Sequence, residues 1–185
     1  MRGGSEITVS KLEVNLYVLA ITAAATAVFA GAAWMAHGDL LGVANPHLWL
    51  LFSLLLGIVL HEVLHGLGYQ VWGKMGWEGM RFGVSLKGIM LYCHARRPMP
   101  LRAYRRSLLL PVLVTGLLPS VLLIWFPYLW LALYCGLMVG AGAGDLLVLT
   151  KLRGIDGDVP VQDHPSEVGC YVYGEAASSQ GRERR

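Results

Sequence analysis

Two long stretches of this 185-residue chain are almost free of charge. Between Glu13 and Lys74 the only formal charges are Asp39 and Glu62, and between Arg106 and Lys151 the only one is Asp145. Only 15% of all residues are charged and 55% are hydrophobic, whereas a soluble domain carries roughly a quarter charged residues. Uncharged runs of this length suit a lipid bilayer, where about 20 apolar residues make one helical crossing. The chain divides into four such spans, at about 12–36, 47–71, 107–126 and 128–150. The expected fold class is therefore an α-helical integral membrane protein with four transmembrane helices. Ser10 and Glu13 have capping-box spacing at the start of the first span. That span is also too long for the 7–15-residue apolar region of a signal peptide. Trp34, Trp49, Trp72, Trp125 and Trp130 fall near span ends, where interfacial aromatics belong.

The charges that do occur set an orientation. Lys74, Arg81, Lys87, Arg96, Arg97, Arg102, Arg105 and Arg106 lie between the second and third spans against a single Glu78. Lys151, Arg153, Arg182, Arg184 and Arg185 follow the fourth. The loop from Asp39 to His47 has no Lys or Arg. The positive-inside rule then places the chain in the cell membrane as a multi-pass protein, with both termini and the large loop cytoplasmic. Flanking spans as they do, the arginines at 96, 97, 102, 105 and 106 are expected at lipid headgroups, and nucleic acid is not an expected partner. The stretches Met80–Leu86 and Ile89–His94, joined around Lys87-Gly88, read as a short cytoplasmic β-hairpin between helices 2 and 3. Val168–Tyr173 reads as one more strand. Residues 1–175 form one domain, and the polar tail 176–185 is expected to be disordered. The three cysteines form no CxxC pair, so neither a disulfide framework nor a thiolate metal site is implied.

Chemistry concentrates in His61-Glu62-Val63-Leu64-His65, an HExxH motif within the second span. Residues four apart share one helical face, so His61 and His65 can aim nitrogens at one ion. Glu62 stands beside that face, where a general base takes a proton from metal-bound water. Zn²⁺ would lower the pKa of that water toward ~7. A glutamate within a span costs roughly 2.5 kcal/mol or more to insert, which makes intramembrane ionisable residues functional candidates. A catalytic zinc site takes three protein ligands and keeps one position open. Asp145 is the natural third ligand. On the topology above, His65 and Asp145 both lie about 25 Å from the outer boundary at 1.5 Å per residue. Gly136, Gly140 and Gly144 precede Asp145 at GxxxG spacing, which lets membrane helices approach closely. His94 is a further candidate, placed to polarise a substrate carbonyl or stabilise an oxyanion; an ordinary loop histidine is the competing reading. Asp163-His164-Pro165 reads as a solvated turn. His37 and His47 lie at the outer boundary, away from this metal.

The His61–Gly66 helix, the Cys93-His94-Ala95-Arg96-Arg97-Pro98-Met99 loop and the Ala141-Gly142-Ala143-Gly144-Asp145 segment resemble the bacterial putative zincin peptidase family of small multi-span membrane proteins. More distantly, the pattern is similar to intramembrane site-2-type metalloproteases, which pair a helical HExxH with an Asp on a later transmembrane helix. That resemblance implies His61, His65 and Asp145 as ligands and Glu62 as catalytic base. Asp145 departs from the site-2 pattern in being followed by Leu146-Leu147 rather than by glycine.

The expected activity is that of a membrane-embedded zinc metallopeptidase. It would hydrolyse peptide bonds of membrane or membrane-proximal proteins by Glu62-assisted attack of zinc-bound water. A non-proteolytic metal-binding membrane protein, such as a metal carrier or assembly factor, would use the same histidines and aspartate but leaves Glu62 without a role. No internal repeat of the kind transporters show is visible in the four spans.

Overall fold

The computed structural model describes residues 4–85 and 90–174. Strand β1 (Gly4–Val9) leads directly into helix α1 (Lys11–His37). The capping box at that junction is formed: Ser10 Oγ accepts from the Glu13 amide at 3.2 Å, and Glu13 Oε2 accepts from the Ser10 amide at 2.9 Å. Helix α2 (Pro46–Val71) starts with Pro46 in its first turn, where a missing N–H costs nothing. Strands β2 (Met80–Ser85) and β3 (Met90–Ala95) pair antiparallel, with Arg81 opposite His94 and Phe82 opposite Cys93. The turn expected around Lys87-Gly88 lies outside the described residues, as does the tail from 176.

Strand β4 (Met99–Pro100) runs into α3 (Leu101–Pro111), a π-helical turn over Val112–Leu117, the single turn α4 (Leu118–Ser120) and a 3₁₀ turn over Val121–Ile124. The third span thus starts at Leu101, six residues before the expected Ser107. Charge set the expectation, yet Arg102, Arg105 and Arg106 sit on an amphipathic first turn whose other face buries Leu101, Ala103 and Tyr104. Pro111 cannot donate to the helical ladder, and the winding loosens immediately after it.

The fourth span is α5 (Leu129–Ala141) followed by α6 (Ala143–Lys151), broken at Gly142. Strands β5 (Pro160–Asp163) and β6 (Val168–Tyr173) follow. Four helical stretches, Lys11–His37, Pro46–Val71, Leu101–Ile124 and Leu129–Lys151, are long and apolar enough to cross a membrane.

The hairpin is not the whole of the β-structure. A second, four-stranded sheet runs in the order β1-β6-β5-β4. Its first strand, six residues of mixed polarity before Ser10, was not among the expected elements. Because β1 precedes α1, β4 precedes α3 and β5–β6 follow α6, both sheets gather at one end of the helices. A core of Tyr69, Met99, Leu101, Tyr104, Val161 and Val172 joins them there. At the other end the two linkers meet, where the Leu41 amide donates to the Pro127 carbonyl at 2.8 Å.

Several of the arginines expected at lipid headgroups are used within the fold. Arg105 Nη2 donates to the carbonyls of Leu152 (2.6 Å) and Ile155 (2.9 Å), satisfying the chain just past α6. Arg102 pairs with Asp158, and Arg97 with Glu78. Folding the segment after α6 back onto α3 supplies the partners of Arg105 and Arg102.

Candidate metal centre

Helix α2 carries two of the expected ligands on one face. His61 and His65 are both buried, and their rings meet edge to face with centroids 4.9 Å apart. Across from them, α6 presents Asp145 in its first turn. The break at Gly142 lets it do so, since a side chain there would run into Val112. Asp145 Oδ2 lies 3.3 Å from His61 Nε2 and 3.4 Å from His65 Nε2. One ligand atom from each of the three residues falls within 4.8 Å of the others. Asp145 sits near the N-terminus of its short helix, the end that favours an anion.

The two histidine–aspartate separations fit a shared cation better than direct hydrogen bonds. A charge-assisted N–H···O contact closes to about 2.7–2.9 Å. Ligand atoms at about 2.0–2.1 Å from a tetrahedral Zn²⁺ stand about 3.3–3.4 Å from each other. The tautomer agrees. His65 Nδ1 lies 3.1 Å from the carbonyl of Ser107, an acceptor only, so Nδ1 carries the hydrogen and donates it. In the neutral ring, Nε2 then presents a lone pair toward the Asp145 oxygen. Two electron-rich atoms facing each other need a positive centre between them. The residues present therefore fit zinc.

The close approaches that build the site are made by α2 itself. A β-carbon at Gly68 would lie 2.8 Å from Ser107 Cα, and one at Gly57 would lie 2.9 Å from Tyr134 Oη and Met138 Sδ. The Gly136 and Gly140 positions, expected to bring the metal-bearing helices together, instead meet Thr26 and Thr22 of α1, and Gly144 is comparatively open. Small residues at GxxxG spacing do serve helix packing here, but against α1, which lies along α5.

The three residues open onto a cavity of about 850 Å³. Glu62 lines it together with Cys93 of β3. His94 lines the same cavity, half-buried, with its ring tilted 34° to that of Tyr92 and the centroids 4.6 Å apart. Burial pushes the His94 imidazole below its ordinary value, against the opposing pull of Asp163.

Asp163 is the residue that sequence reasoning missed. It is not in a solvated turn. It ends β5, is 9% exposed and accepts three hydrogen bonds, from Tyr69 Oη at 3.0 Å, Tyr104 Oη at 2.6 Å and the Ala95 amide at 2.7 Å. Burial nevertheless pushes its carboxyl above the ordinary carboxylate range. Its neighbour His164 is also buried; Nδ1 accepts from the amides of Ser166 and Glu167, and Nε2 lies 3.1 Å from Glu6. The available signal was Tyr69, a polar ring one helical turn beyond His65 that needs a buried acceptor.

A family model described as "Putative zincin peptidase" matches residues 54–156, more than half of the chain. No curated protein and no solved structure matches it.

Proposed function

The chain belongs to the putative zincin peptidase family, and on that premise we propose that it is a membrane-embedded zinc metallopeptidase. The observation that carries this reading is the convergence of His61, His65 and Asp145 within 4.8 Å beside Glu62 in one cavity. The four helices cross the cell membrane, with the two sheets and both termini on the cytoplasmic side. Support comes from the outward faces of α1 and α2, where Leu19, Phe52 and Leu55 are exposed among the described residues. The basic residues cluster at the sheet end, as the positive-inside rule asks.

His61, His65 and Asp145 hold the metal. Zn²⁺, when bound, supplies a Lewis acid and a water acidic enough to react near neutral pH. Glu62 takes the proton of the attacking water on its carboxylate and returns it to the leaving amine. The Ser107 carbonyl keeps His65 in its Nδ1–H tautomer. His94, held below its ordinary pKa, offers a neutral ring to the substrate carbonyl. Substrates are peptide segments of membrane or membrane-proximal proteins, bound extended along β3, whose Leu91–His94 stretch lines the cavity.

The test is to purify the protein in detergent, measure bound metal and follow cleavage of a membrane protein substrate. Glu62→Gln should keep zinc and lose cleavage. If a variant without the Glu62 carboxylate cuts as well as the wild type, the reading fails.

A further inference from the structure

The hydrolysis proposed above leaves Asp163 without a task, yet a buried carboxylate is costly unless its donors are strong. Its three donors come from three elements: Tyr69 of α2, Tyr104 of α3 and Ala95 of β3. Tyr69 lies on the same face of α2 as His65, and their rings stack 6.2 Å apart. Asp163 thus connects the helix that carries the histidines to the end of β3.

The Ala95 bond also fixes which way β3 faces. In a strand, backbone groups two residues apart point to the same edge. The Arg96 amide donates to Gly79 at 2.7 Å, on the β2 side. The Ala95 amide points the other way, to Asp163, so the amides of Cys93 and Leu91 also point away from β2. Among the described residues the β2–β3 sheet has two strands, and this edge of β3 has no strand partner. Asp163 closes the edge at Ala95, and Cys93, the next position along it, lines the cavity together with Glu62.

We infer that Asp163 is a positioning residue that sets the register in which a substrate strand pairs with β3. This rests on the peptidase reading, because it assumes a strand docked beside Glu62. The ligand is an extended peptide whose carbonyls accept from the Leu91 and Cys93 amides. With Ala95 occupied, the strand cannot slide further along the edge. Without the carboxylate, Ala95 offers a third donor. The strand can then shift by two residues, the smallest step that keeps the same side chains on the same face.

The experiment uses the full chain in detergent, loaded with zinc, with casein as an unfolded polypeptide probe and cut sites mapped by mass spectrometry. Asp163→Ala is expected to keep its zinc and to add cuts displaced by two residues, because Ala95 becomes a further donor for the strand, with kcat little changed. Asp163→Asn, whose amide oxygen can still accept from Ala95, should restore the wild-type cut sites. Asp163→Ser, too short to reach Ala95, repeats the test should Asp163→Ala fail to fold. Unchanged cut sites in Asp163→Ala or Asp163→Ser would overturn the inference, as would shifted sites that Asp163→Asn does not restore.

Hydrogen exchange with casein in the Glu62→Gln background needs no cleavage. It should show Leu91 and Cys93 protected by casein, and Ala95 protected with or without it until Asp163 is replaced. That pattern without any casein cleavage by the wild type would fail the peptidase reading and uphold Asp163. Absence of casein-dependent protection on β3 would overturn the inference.

Discussion

His65 Nδ1 donates to the Ser107 carbonyl across 3.1 Å, and this bond from α2 to α3 decides which ring nitrogen of His65 faces Asp145. The bond depends on Gly68, the residue that lets Ser107 approach α2. Gly68→Ala puts a β-carbon against Ser107 Cα and forces the helices apart. The expected result is a loss of about 10–100-fold in zinc affinity, the usual cost of losing an outer-shell partner. Overpacking should also cost about 1–3 kcal/mol of stability. Chelator competition and thermal unfolding measure the two effects.

Gly136→Ala and Gly140→Ala should each weaken the packing of α1 on α5 by about 1–3 kcal/mol, since both positions lie hard against threonines of α1. Gly144→Ala, with nothing nearer than 3.8 Å, should be tolerated. Unfolding of the three variants in one detergent gives the comparison. Equal destabilisation by all three would contradict this assignment of the GxxxG face.

Cys93 and Cys170 are free and buried among the sheet residues. Burial pushes both thiols up, Cys170 to about 12. A thiol titrating there is only about one part in ten thousand thiolate at pH 8. The folded protein should resist alkylation at both positions and react only after denaturation. Rapid native labelling of Cys170 would show that β6 is not packed as described.

The raised pKa of Asp163 gives a signed pH dependence. A carboxyl that binds its proton more tightly when folded adds stability below its unfolded pKa. That contribution is lost as pH rises through the folded value. The stability of the wild type relative to Asp163→Asn should therefore fall from acid toward neutral pH. Denaturant unfolding of the metal-free protein at several pH values checks this without interference from zinc release. A rising difference would mean that the hydrogen bonds outweigh burial.

Much of this architecture was legible before any coordinates. Charge-free runs located three of the four apolar helices to within a residue at each end, and the third span near its end but not at its start, because little but length and apolarity defines them. HExxH spacing and the one acidic residue of the last span brought together three residues that are in contact in the fold. The misses share a cause. Strand β1, the start of α3 at Leu101 and the burial of Asp163 all depend on partners distant in sequence: β6 for β1, the segment after α6 for the arginines, Tyr69 and Tyr104 for the aspartate. Local pattern carries no record of such partners. The bend at Gly142 was hidden for a different reason, since the five small residues Gly140–Gly144 in a row permit several geometries and packing chooses one.

The central claim is tested most directly by metal analysis of the purified protein and its site variants. The account predicts about one zinc per chain in the wild type and in Glu62→Gln, little in His61→Ala, His65→Ala or Asp145→Asn, and peptide cleavage by the wild type alone. Wild-type protein that folds but binds no stoichiometric metal, or an Asp145→Asn variant that keeps its zinc and activity, would contradict it.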